Sequence, residues 1–245
     1  MPRVLFTVAF ALCLAAQARA QTAWTDRGYF DISADVRLSP MTFDGTAHPV
    51  DFAEAATVST GYDVKPAAGV DAAVGFRARR NFAIAVDVAW TTRLSPASIT
   101  AQVPHPLYEN RPRSVSGSQG LGHDESAVNL QVVRMIPVRP HWTVALAGGP
   151  SWIIARQAIV DNVAVASAYP FDTASFSSAV TSRTSAGRLG FNVGGDVVYR
   201  VRRRAGVGFG ATFSRARVPL TSAAGDSITV NAGGLRVGGG LRVRF

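Results

Sequence analysis

The chain has 245 residues, 25 basic and 16 acidic side chains, a formal net charge of +9 and one cysteine, Cys13. A single cysteine excludes a disulfide framework and thiolate metal clusters. Past residue 20, no uninterrupted apolar run approaches the ~20 residues of a membrane helix. The mature chain is therefore either a soluble β-domain or a protein that spans a membrane as strands. The basic excess is almost all arginine, scattered along the chain rather than gathered on one face, so no nucleic acid is expected as a partner.

The first 20 residues read as a secretory signal peptide. Arg3 supplies the positive start, Val4 to Ala16 the apolar stretch, and Ala18-Arg19-Ala20 the small-residue cleavage site. Cys13 lies inside it, and the bulky Leu12 before it disfavours a lipoprotein anchor. Removing Arg3 and Arg19 leaves 23 basic residues against 16 acidic, a net +7. Residues 21–245 are expected to form one domain.

Eight segments alternate apolar and small or polar residues with a period of two, the mark of a strand with two unlike faces. In order, they centre on Phe30–Leu38, Val70–Phe76, Phe82–Trp90, Val128–Val132, Trp142–Leu146 (reaching Trp152), Leu189–Tyr199, Val207–Phe213 and Leu235–Phe245. The connections alternate in length. Tight turns lie at Arg79-Arg80-Asn81, Pro137 to His141 and Arg202-Arg203-Arg204. Long Ser-, Thr-, Pro- and Asp-rich stretches run about 39–67, 94–124, 157–186 and 216–228. This places the long connections together at one end of an up-and-down barrel.

The second face of these strands is unusually small, with Gly206, Gly208, Gly210, Gly238 and Gly240 in near succession. It also carries acids of a kind found buried. Such a face suits a narrow lumen, and the apolar face suits lipid. Trp142 and Trp152 share parity. At ~3.3 Å per residue and a ~40° tilt they stand about 25 Å apart along the membrane normal, the spacing of two aromatic girdles. Pro150 lacks an N–H to donate and, beside Gly148 and Gly149, predicts a bulge near the outer rim.

The last strand, Leu241-Arg242-Val243-Arg244-Phe245, ends on an aromatic residue at the tip of its apolar face. With the export signal and the loop asymmetry, it resembles the eight-stranded bacterial outer-membrane β-barrel family, which includes the membrane domain of outer-membrane protein A. The resemblance covers residues 21 to 245 in pattern and is motif-like over the last eleven; Gly239 departs from its usual apolar residue. It implies an all-β, closed, antiparallel up-and-down transmembrane barrel in the outer membrane of a Gram-negative-type bacterium, with short periplasmic turns and long external loops. It further implies that Leu241, Val243 and Phe245 form the signal read by the barrel-assembly machinery. No peptidoglycan-binding domain is expected after the last strand.

Eight strands leave an interior that side chains can fill, and buried ions are costly unless paired. A lumen ion network is expected from Asp31, Asp35, Asp71, Asp87 and Asp196 with Arg37, Arg77, Arg200, Arg236 and Arg242. It would close the lumen or, in the alternative, line a small passive pore favouring anions. Arg93, Arg156, Arg183, Arg188, Arg215 and Arg217 flank the external strand ends. Guanidinium groups grip phosphate, so lipopolysaccharide and outer-membrane lipid are the expected partners there, with solvated loop charge as the competing reading. His123-Asp124-Glu125-Ser126 holds the ingredients of a lipid A-modifying esterase, but neighbouring residues point to opposite faces and a triad is a matter of geometry. No catalytic residue, metal site or cofactor is expected. The function read from the sequence is non-enzymatic: structural, or adhesion and ligand contact through the external loops, with the channel, the lipid A enzyme and a soluble periplasmic barrel as alternatives.

Overall fold

The computed structural model describes residues 24–222 and 227–245; the expected signal peptide lies outside them. Strands β1 (Gly28–Arg37), β6 (Ala67–Arg79), β7 (Phe82–Val103), β8 (Arg113–Arg139), β9 (Trp142–Ala166), β10 (Ser175–Arg200), β11 (Ala205–Thr221) and β12 (Ser227–Arg244) pair antiparallel with their neighbours. The β1–β12 ladder, from Tyr29 opposite Arg244 to Arg37 opposite Arg236, closes the ring of eight. Phe245 completes this seam, accepting from the N–H groups of Arg27 and Gly28 and donating to the Gly28 carbonyl.

The ring is inside out. Along β7, Phe82, Ile84, Val86 and Trp90 face outward and exposed, while Ala83, Ala85, Asp87 and Ala89 face inward and buried. An exposed apolar band around a polar interior is costly in water and favourable in hydrocarbon, which makes this a membrane-spanning barrel. Exposed aromatics mark both ends of the band. Phe76, Phe82, Trp142, Tyr199 and Phe245 lie at the turn end, and Trp90, Trp152 and Phe191 at the other. Trp142 and Trp152 both face outward, as their shared parity predicts.

The three tight turns fall where expected. The long connections do not: they are mostly strand. β7 to β10 run 22, 27, 25 and 26 residues, far more than a bilayer needs. The stretch 39–67 folds as β2 (Met41–Ala47), the short β3 (Val50–Asp51) and β4 (Glu54–Ala55) pair, and β5 (Thr57–Val64). β5 pairs with the upper part of β7 and with β2. The upper β7 reads Ala97, Ile99, Ala101 and Val103 inward and Pro96, Ser98, Thr100 and Gln102 outward. The facing parity is unchanged, but the apolar residues have moved to the inside. The external half is therefore a water-facing β-body around its own core, built from residues such as Val58, Tyr62, Ile99, Ile159, Val218, Leu220 and Val230.

Pro150 makes no bulge. The β8–β9 register is the same before and after it, with Asn129 opposite Ser151 and Val132 opposite Gly148, and the ladder simply skips two pairs between them. A side chain of β10 bonds this stretch. Asn192 donates to the carbonyls of Gly149 and Pro150 at 3.0 and 3.3 Å and to Ser151 Oγ at 2.9 Å. Gly149 is needed for the close approach, since a Cβ there would lie 2.1 Å from the Leu130 carbonyl oxygen.

Candidate functional site

Side chains fill the barrel cross-section at three levels. At the periplasmic end, Trp24 packs with Tyr29, Ala83, Ala85, Val133, Met135 and Ala145, its backbone N–H bound to Asn81 Oδ1 at 2.8 Å. Above it is a polar cavity of about 110 Å³, lined by Asp31, Asp35, Asp71, Asp87, Asp196, Arg236 and Arg242 among others. Arg242 grips Asp196 through Nε and NH2, both at 2.9 Å, reaches Asp31 at 3.6 Å and donates to Ser33 Oγ at 2.8 Å. Arg236 lies 3.3 Å from Asp35 and 4.0 Å from Asp87. Glycine makes room for the bidentate pair: a Cβ on Gly208 would sit 2.6 Å from Arg242 Nε and 2.9 Å from Asp196 Oδ2.

The third level is a fully buried polar layer that sequence reasoning missed. Arg37 NH1 donates to Glu125 Oε1 at 2.7 Å, and the same oxygen lies 2.8 Å from His123 Nε2. His123 Nδ1 meets Gln157 Oε1 at 2.7 Å, and the Gly233 N–H donates to Glu125 Oε2 at 3.0 Å. Arg37 and His123 are 1% and 2% exposed, so this layer separates the polar cavity from the apolar external core. In that core, Tyr62 Oη accepts the Val160 N–H at 3.0 Å, and burial pushes its phenol above the usual range.

Of the ten residues expected in the lumen network, seven line one cavity. Arg37 instead belongs to the layer above and pairs with Glu125. Arg77 is a correction: it stands exposed at the periplasmic end and donates to the Trp24 carbonyl at 2.9 Å, because its neighbours there are the rim and the incoming chain. Arg200 is half-buried at the same end beside Arg244, its Nε without a hydrogen-bond partner. The signal that could have found Glu125 is parity, since His123, Glu125, Ala127 and Asn129 share the inward face of one strand.

The six external arginines are all exposed. Arg215 stands opposite Phe191, Arg217 two residues further along β11, and Arg156 four past Trp152, at or just beyond the level of the outer aromatics. Arg183 pairs with Asp124, and Arg188 donates to the Gly187 carbonyl at 3.0 Å. Among the described residues, Arg93, Arg156, Arg215 and Arg217 have no acidic partner. Arg156 also borders an outward depression of about 450 Å³, with Val70 and Trp90 at its apolar side and Thr92, Asp124 and Ser126 at its polar side. His123 and Ser126 lie on opposite faces of β8. The outward strand face carries Leu241, Val243 and Phe245, all exposed.

No family model matches the chain, and no curated protein matches it in sequence. Among solved structures, the chain is similar to Neisserial surface protein A (NspA; 12% identity, 88% of this chain and 97% of that one, TM-score 0.43). It is also similar to the outer membrane protein OprG from Pseudomonas aeruginosa (7% identity, 90% and 97%, TM-score 0.48). A third similar structure is the outer membrane protease OmpT from Escherichia coli (11% identity, 93% and 99%, TM-score 0.48). At these values nothing about residues or activity carries over. The chain's own closed ring of eight antiparallel strands, apolar outside and polar within, makes it a transmembrane β-barrel of the small outer-membrane type.

Proposed function

We propose that the protein is a non-enzymatic barrel of the outer membrane whose work is surface contact, adhesion or ligand binding, carried out by its external half. The observation that carries this reading is the continuation of the strands beyond the outer aromatics. From Thr91 to Val103, β7 adds thirteen residues, which at ~3.3 Å each and a ~40° tilt reach about 30 Å above the membrane. This part has a packed core and a Ser- and Thr-rich outer wall, so it is a rigid platform rather than a set of floppy loops. Passage of solute has less support, because the buried Arg37–Glu125–His123–Gln157 layer and the apolar core lie across the path. Hydrolysis of lipid A by His123 with Ser126 has less support as well: both ring nitrogens of His123 are engaged inside, and Ser126 faces out.

A second contact is favoured by the guanidinium groups of Arg93, Arg156, Arg215 and Arg217, which have no acidic partner among the described residues, at the outer membrane surface. Lipopolysaccharide phosphates are the partner they suit. The terminal strand with Leu241, Val243 and Phe245 is the part offered to the assembly machinery.

Lys65 gives a direct test. It is the only lysine in the sequence and is exposed near the start of the external half, beside Asp63. A membrane-impermeant amine reagent applied to intact cells should label the wild type and not the Lys65→Arg variant. Purified barrel in planar bilayers should give no conductance steps. Absence of Lys65 labelling would overturn the surface reading, and steady conductance would replace it with the channel.

A further inference from the structure

A separate pocket of about 330 Å³ opens at the outermost rim, where the chain between β7 and β8 meets the chain between β9 and β10. His105, Arg111, Arg113, Ser114 and Asp172 line it. The His105 side chain is fully buried, and its Nδ1 accepts the Leu107 N–H at 3.1 Å. The ring proton is therefore on Nε2. That N–H is buried and has no hydrogen-bond partner; the nearest acid, Asp172 Oδ1, is 3.8 Å away. Arg113 is 6% exposed and ties the two chain segments together, donating from NH1 to the Phe171 carbonyl at 3.1 Å and from NH2 to the Pro104 carbonyl at 3.0 Å. Its Nε–H is also buried without an acceptor. Arg111 sits at the mouth, 3.2 Å from Asp172 and over the Tyr108 ring at 5.6 Å.

Two buried donors without acceptors in one pocket are unusual, because buried polar groups are nearly always satisfied. Both residues line the pocket together with a second guanidinium, Arg111, and one carboxylate, Asp172. Asp172 is 47% exposed on the chain between β9 and β10. It lies between Arg111 and His105, where an incoming anion would sit. Tyr108, exposed, tilted against His105 at a ring distance of 4.9 Å and beneath Arg111, stands next to two of the lining residues. The space is larger than a bare oxyanion and leaves room for the group that bears it.

We infer that this rim pocket binds a tetrahedral oxyanion monoester, a phosphate or sulfate ester carried on a saccharide. The ester oxygens would take the His105 Nε2–H and the two guanidiniums and displace Asp172, while the sugar ring would lie against Tyr108. The inference deepens the surface-contact reading and rests on it, naming the ligand chemistry for the outermost part of the platform.

The test is calorimetric titration of the refolded full barrel with glucose 6-phosphate, glucose 6-sulfate and glucose. One or both esters should bind saturably and glucose should not; which ester binds more tightly identifies the source. Arg111→Gln should weaken binding at least tenfold, and His105→Phe, which keeps the ring packing but removes the donor, should weaken it several-fold. Asp172→Asn should tighten it several-fold by removing the resident competitor. Arg203→Gln, the same loss of charge in a periplasmic turn, should change nothing. Each variant is first confirmed folded by its mobility in cold SDS. The pocket is refuted if neither ester titrates, if Arg203→Gln weakens binding as much as Arg111→Gln, or if Asp172→Asn weakens it. Lys65 labelling on cells is independent of all these variants, so a failed pocket leaves the surface reading standing, and a failed surface reading is detected without any ligand.

Discussion

The two halves of this barrel share strands, facing parity and hydrogen-bond ladders, yet their chemistry is reversed. On β7, inward Asp87 and outward Val86 in the membrane half give way to inward Ile99 and outward Ser98 in the external half. β11 does the same, from outward Phe209 and inward Gly208 to outward Arg217 and inward Val218. A strand is thus defined by its period, while which face carries the apolar residues is decided by the solvent on each side. The reversal occurs at the level of the Arg37–Glu125–His123–Gln157 layer, which gives the polar lumen an upper boundary.

Substitutions can break this comparison at its joint and on either side of it. The largest effect is expected at the joint. Glu125→Ala leaves the Arg37 charge buried and unpaired, a change that costs about 3–5 kcal/mol. Resistance to cold SDS should fall sharply, and the double variant Arg37→Leu with Glu125→Leu should recover most of it. If Glu125→Ala alone is harmless, the layer is not a structural boundary.

On the external side, Ile99→Ala opens a cavity in the packed core at a cost of about 2–5 kcal/mol. Limited proteolysis should then cut the external half while the membrane half keeps its cold-SDS mobility. On the membrane side, Val86→Arg puts a charge into lipid at a cost of about 2–4 kcal/mol near the midplane. Urea-dependent folding into vesicles measures it. The smallest effect sharpens the contrast: Ser98→Arg, outward on the same strand but facing water, should fall within about 0.5 kcal/mol of wild type. Equal costs for Val86→Arg and Ser98→Arg would mean that the two halves face the same solvent.

The membrane half was legible because its alternation joins large apolar residues to small or ionic ones, as in Phe82 to Trp90 or Val207 to Phe213. The lumen acids followed from the same parity. The external half was not legible, and the reason is physical. Its outward residues, Pro96, Ser98, Thr100 and Gln102, have the composition of loops, and its inward partners Ala97 and Ala101 are too small to announce a core. Extending the parity of Asp87, Ala89 and Thr91 upward would have reached Ile99 and Val103. Glu125 was hidden in the same way, inside a run of four polar residues that alternate in and out. Pro150 misled for another reason: the ladder passes it with its register unchanged, skipping two pairs, while the Asn192 side chain, more than 40 residues away in sequence, bonds the carbonyls of Gly149 and Pro150.

The β1–β12 seam has a kinetic consequence. Every other wall joint of the ring links strands that follow one another around the barrel, so its first contacts can form locally. The seam instead brings together groups as distant as Ser33 and Arg242, 209 residues apart. Contacts of such separation form late, after the loop-closure entropy has been met by everything between. Until then the nascent sheet has two bare edges, which lipid cannot satisfy and which would pair with any other strand. The time to closure, rather than the strength of the finished wall, sets how long this chain needs a companion to guard its edges.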